Sequence, residues 1–71
     1  MDLLPFKLLP LGARIAIEWL ILCPEKRTLS QLDELLRLYA ESTGAVFDER
    51  IRESARAICR QRFDGSYNES V

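Results

Sequence analysis

Between two prolines the chain reads Pro10-Leu11-Gly12-Ala13-Arg14-Ile15-Ala16-Ile17-Glu18-Trp19-Leu20-Ile21-Leu22-Cys23-Pro24, and this stretch decides the fold. Pro10 suits the first position of a helix, where its missing N–H is no loss, and the ring of Pro24 pushes Cys23 out of the helical region. The spacing predicts a first helix from residue 10 to residue 22. At about 100° per residue, Ala13, Ile15, Ala16, Ile17, Trp19, Leu20, Ile21 and Leu22 spread around nearly the whole circumference, and Arg14 and Glu18 mark a narrow polar edge. A helix apolar all round must be covered all round, yet two partner helices of one chain cover roughly half to two-thirds of it. The rest falls either to the segment before Pro10 or to a second copy of the chain. The second copy is the reading preferred here, with Ile15, Trp19 and Leu22 as the oligomer interface. Arg14 and Glu18, four residues apart, suit a pair within the helix or across a two-fold axis.

Upstream, residues 1–9 form an apolar arm punctuated by Pro5, carrying Leu3, Leu4, Phe6, Leu8 and Leu9. Downstream, Glu25-Lys26-Arg27 reads as a charged, solvated connector. Thr28-Leu29-Ser30-Gln31 then fits a capping box that opens a second helix, with Ser30-Gln31-Leu32-Asp33 as a competing version two residues on. Leu29, Leu32, Leu36, Tyr39 and Ala40 recur at helical spacing, with Leu35 at the stripe's edge and Leu38 opposite it. Gly44 supplies the left-handed residue that ends this helix. A third helix begins near Asp48 and runs to Phe63 with Phe47, Ile51, Ala55, Ile58 and Cys59 as its stripe. The expected fold is all-α: three short helices with an apolar arm, completing their core in a homodimer. Its divisions are the arm at 1–9, a three-helix domain at 10–64 and a flexible polar tail at 65–71.

The chain has 71 residues, 48% of them apolar and 30% charged, so it lies in the globular range and holds one small core. Residues 1–23 carry 16 of the 34 apolar residues and only four of the 21 charges. An export signal wants a basic start and an unbroken apolar run, whereas this segment has Asp2, Pro10, Arg14 and Glu18, and Leu22 stands where a lipoprotein box before Cys23 needs a small residue. No run is long enough to span a membrane. The expected compartment is therefore the cytoplasm, with Cys23 and Cys59 as reduced, buried hydrophobes on apolar helix faces. No metal or other cofactor is expected, because the chain has no His and two thiols do not close a tetrahedral site. It also lacks a Gly-rich phosphate loop, and no Ser or Cys stands beside an evident base, so no enzymatic role is expected.

Ala40-Glu41-Ser42-Thr43-Gly44 resembles the Ala-x-x-x-Gly core of the helix-turn-helix, which implies DNA binding by the second and third helices. That motif wants apolar residues six and nine places beyond the Gly, where this chain has Arg50 and Glu53, with Ile51 one place late. Asp48 and Glu49 open the helix that would read bases, and carboxylates there repel phosphate. Residues 50–62 contain five Arg and one Glu, with Arg52, Arg56 and Arg60 along one ridge. The ridge suits an acidic protein partner better than nucleic acid, since the net charge is -1 and no aromatic is interleaved to stack a base. Glu49 and Glu53 also stand where they neutralise it. The function expected is that of a small interaction or regulatory protein, an adaptor, inhibitor or antitoxin-like modulator. A helix-turn-helix DNA-binding regulator is the alternative.

Overall fold

The computed structural model describes residues 2–65 and Tyr67. It contains three α-helices, α1 (Leu11–Leu22), α2 (Leu29–Thr43) and α3 (Glu49–Phe63), with single 3-10 turns at Phe6–Leu8 and Pro24–Lys26. No strand occurs among the described residues. The all-helical expectation therefore holds, and each helix boundary falls within a residue or so of its sequence signal. Thr28 caps α2 by accepting from the Gln31 N–H at 3.0 Å, which selects the first of the two capping versions. Gly44, at φ 69°, closes α2 with its N–H directed to the Ala40 and Glu41 carbonyls. Asp48 caps α3 by accepting from the Ile51 N–H.

The helix that is apolar all round turns its smallest residues inward. Gly12, Ala13, Ala16, Ile17 and Leu20 are buried, and α1 packs chiefly on α2. At Gly12 the approach is close enough that a Cβ would lie 3.0 Å from the Phe47 ring and 3.2 Å from the Tyr39 carbonyl oxygen. Leu32, Leu35 and Leu36 of α2, with Phe47, Ala55, Cys59 and Phe63, complete the core. Leu35, expected only at the stripe's edge, is thus a core residue. It is drawn in because α1's small face lets α2 come near, while Leu38 remains exposed.

The polar anchors of the arm all fall on α3. The Leu4 N–H donates to Ser54 Oγ at 2.8 Å, and the buried Ser54 hydroxyl donates in turn to the Arg50 carbonyl at 2.7 Å. Arg50 Nε donates to the Asp2 carbonyl, and the Arg62 guanidinium lies 5.3 Å above the Phe6 ring. Leu9 is buried, Leu4 and Phe6 lean on the core, and Leu3 and Leu8 stay exposed. With the arm so placed, the accessible surface is 4388 Å². A compact 8.2 kDa monomer is expected to expose about 4500 Å².

Two further segments depart from their sequence reading. Arg27 is not a solvated connector residue: its Nε donates to the Leu20 carbonyl and its Nη2 to the Ile21 carbonyl, both at 2.9 Å, and its guanidinium lies 4.3 Å over the Phe63 ring. It satisfies open carbonyls at the C-terminus of α1, where a cation also meets the negative end of the helix dipole. Tyr67, from the expected polar tail, is half-buried with its ring 6.4 Å from that of Phe63. Ser66 and residues 68–71 of that tail, like Met1 of the arm, lie outside the described residues.

Gly12 gives a direct test of the α1–α2 contact. Alanine is the better helix former by about 1 kcal/mol, so propensity alone favours Gly12→Ala. The new methyl group would meet the Tyr39 backbone and the Phe47 ring, and a net loss of about 1–3 kcal/mol is expected from overpacking. Urea denaturation of the variant checks this; wild-type stability would contradict the packing.

Candidate interaction surfaces

Two surfaces carry the residues singled out from the sequence. The first is the outer face of α1. Leu11, Ile15, Glu18 and Leu22 are spaced four, three and four residues apart, so they fall within about 60° of one another around the helix. Leu11 is 59% and Leu22 80% exposed, Glu18 is exposed, and Ile15 is half-buried. The expected interface residues therefore separate. Ile15 and Leu22 share this outer stripe, whereas Trp19 is rotated toward the flank and packs against the chain's own core. Leu11 was missed as a member, although the spacing 11-15-18-22 was present in the sequence to be read.

Arg14 and Glu18, at the edge of this face, enter no ion pair. Arg14 Nε is excluded from solvent and has no hydrogen-bond partner. The other arginines among the described residues all have partners: Arg27, Arg37, Arg50, Arg52, Arg56 and Arg60 form hydrogen bonds, and Arg62 stacks on Phe6. Glu18, one turn on, takes part in none of the ion pairs.

The second surface is the arginine ridge of α3, and here the carboxylates are already in place. Arg52 pairs with Glu49 at 2.8 Å, and Arg56 with Glu53 at 3.0 Å, Asp33 at 3.2 Å and Glu49 at 3.3 Å. Arg60 reaches Glu53 at 3.4 Å. Hydrogen bonding from Arg56 holds the Glu53 carboxyl below its ordinary range, against a smaller opposing effect of burial and with further help from Arg60. Asp33 is the only carboxylate of these from α2, so Arg56 also ties the two helices together. Arg52 and Arg56, but not Arg60, line an open groove of about 470 Å³ whose floor is Leu36, Ala40, Ala45 and Phe47. Arg37 on the opposite wall is paired with Glu34 and Glu41.

The helix-turn-helix resemblance meets the same difficulty in three dimensions. Ala40 to Gly44 forms the C-cap of α2 as the resemblance implies, but residues 44–48 separate the helices, and Ile51 rather than Arg50 turns inward. Asp48 and Glu49 are exposed at the start of α3, where a recognition helix would meet phosphate.

Among the described residues no group of three or more His, Cys, Asp or Glu is brought together as a metal site, and no helix is long and apolar enough to cross a membrane. No protein-family model matches this chain, and no curated protein or solved structure matches it at a significant level.

The cysteines differ where the sequence treats them alike. Cys59 is fully buried, and desolvation pushes its thiol up to about 12 against the weaker pull of Arg62 and Arg60. Cys23, at the end of α1, is only half-buried because the chain leaves the helix there. In the folded protein a thiol reagent at mildly alkaline pH should label Cys23 and spare Cys59, since the thiolate is the reactive species. Both should react in denaturant. Equal native rates at the two cysteines would contradict this placement.

Proposed function

We propose that the chain is a non-enzymatic interaction or regulatory protein that self-associates through the outer stripe of α1 and acts by occupying the surface of a larger protein. The observation that carries the reading is the stripe itself: Leu11 and Leu22 stand in solvent on a helix whose other faces are packed, and the arm is fastened to α3. An isolated exposed leucine needs no explanation, but aligned ones beside a carboxylate outside any ion pair are the pattern of a contact face. Adaptors, inhibitors and antitoxin-like modulators of this size work in this way, which is an analogy of scale. The cytoplasm, where its two thiols would stay reduced, is the proposed compartment.

A 12-residue helix is about 18 Å long. A contact centred on it falls below the roughly 1,200–2,000 Å² of a tight complex, so the dimer should be reversible, with a dissociation constant on the order of micromolar. The arginine ridge is already neutralised by its own carboxylates. An acidic partner would have to displace Glu49 and Glu53 from guanidinium groups they already satisfy, and a phosphate backbone would meet the same competition.

Sedimentation over a concentration series tests the reading. The wild type should approach twice the 8.2 kDa chain mass. Leu22→Glu should abolish that species with its helical spectrum intact, because Leu22 contributes almost nothing to the monomer core. Trp19→Glu, by contrast, should also lower stability, since Trp19 packs on the core. A wild type that stays at chain mass, or that binds duplex DNA with a steep salt dependence, would overturn the proposal.

A further inference from the structure

We infer that the second copy packs antiparallel on α1 about a two-fold axis level with Ala16, so that Arg14 of each protomer faces the partner's Glu18. This rests on the self-association proposed above and adds its orientation and register. The single chain leaves one charge pair on α1 unmade. Arg14 and Glu18 are four residues apart, but with Arg first, the less favourable order for a pair within a helix, and no ion pair joins them. Arg14 is half-buried, and its Nε has no acceptor within the chain. Glu18 is exposed at the edge of the apolar stripe, beside Leu11 and Leu22, so an occupant that covers this edge fits best with a cation opposite the carboxylate.

A second copy supplies that cation in only one orientation. Arg14 and Glu18 lie on the same edge of α1, about 40° apart. In a two-fold antiparallel pair, each edge of a helix faces the same edge of its partner with the direction reversed. Reversal about the level of Ala16 sets position 14 against position 18 and forms the ion pair twice. The same operation places the Leu11 end of one stripe beside the Leu22 end of the other, so the two most exposed leucines of α1 cover each other's neighbourhood. In parallel, in-register packing the two-fold axis runs along the helices, so that edge faces the partner's opposite edge, where Ile15 stands, and Arg14 and Glu18 meet no opposite charge.

Charge reversal and mixing test this. Arg14→Glu and Glu18→Arg, each alone, should place like charges across the axis and weaken the homodimer by roughly tenfold or more. An equimolar mixture of the two variants should recover a dimer at concentrations where neither forms one, because the carboxylate introduced at position 14 then faces the guanidinium introduced at position 18. Circular dichroism establishes that each variant is folded. Should a reversal fail to fold, Arg14→Gln and Glu18→Gln, singly and together, replace it: non-additive losses in dimer affinity support the cross-axis pair, and additive losses refute it. A wild-type dimer whose reversed variants still self-associate equally well, with no preference on mixing, would overturn the register and leave self-association standing. A monomeric wild type would overturn both.

Discussion

The close approach of α1 to α2 at Gly12 is the constraint from which the rest of the molecule follows. A helix that is apolar on every side has no single preferred face by hydrophobicity alone. What distinguishes its sides is size: Gly12, Ala13 and Ala16 make one flank small enough for another helix backbone to lie against it. Once that flank is turned inward, Ile17 and Leu20 follow into the core and Leu11 and Leu22 are forced out. The exposed stripe is therefore a consequence of how the core closes, and its location is set by residues that never touch it.

The polar groups divide along the same line. On α3 the carboxylates and guanidinium groups satisfy one another, and Ser54, Arg50 and Arg62 use what is left to hold the arm. Arg27 is spent on the last carbonyls of α1. Paired charges of this kind stabilise a surface and leave little for a ligand. Arg14, half-buried, and Glu18, exposed, lie along the edge of the outer stripe and enter no ion pair. In a chain of 71 residues with one small core, that contrast is the most specific functional signal.

Much of the fold was legible because it rests on local signals. Pro24, the Thr28 capping box, Gly44 and Asp48 mark helix ends whatever the tertiary structure does, and all four act where the sequence placed them. What depended on contacts distant in sequence was harder to read. Leu35 belonged to the core, Arg27 to a helix end seven residues back, and Ser54 to an arm fifty residues away. Trp19 looked like an interface residue because a large aromatic on an all-apolar helix carries no mark of direction. The small-residue flank that settles the direction was visible, but its meaning came only with the position of Tyr39 and Phe47.

The central claim is that the stripe left exposed by this core is covered by a second copy of the chain. Small-angle X-ray scattering of the unmutated protein across a concentration series tests it without altering a residue. The single chain has a radius of gyration of 11.0 Å. Two chains packed through α1 should raise it toward about 14–15 Å, with the forward scattering rising to twice the monomer mass. A radius that remains at the single-chain value throughout the series, with forward scattering fixed at one chain, would contradict the account.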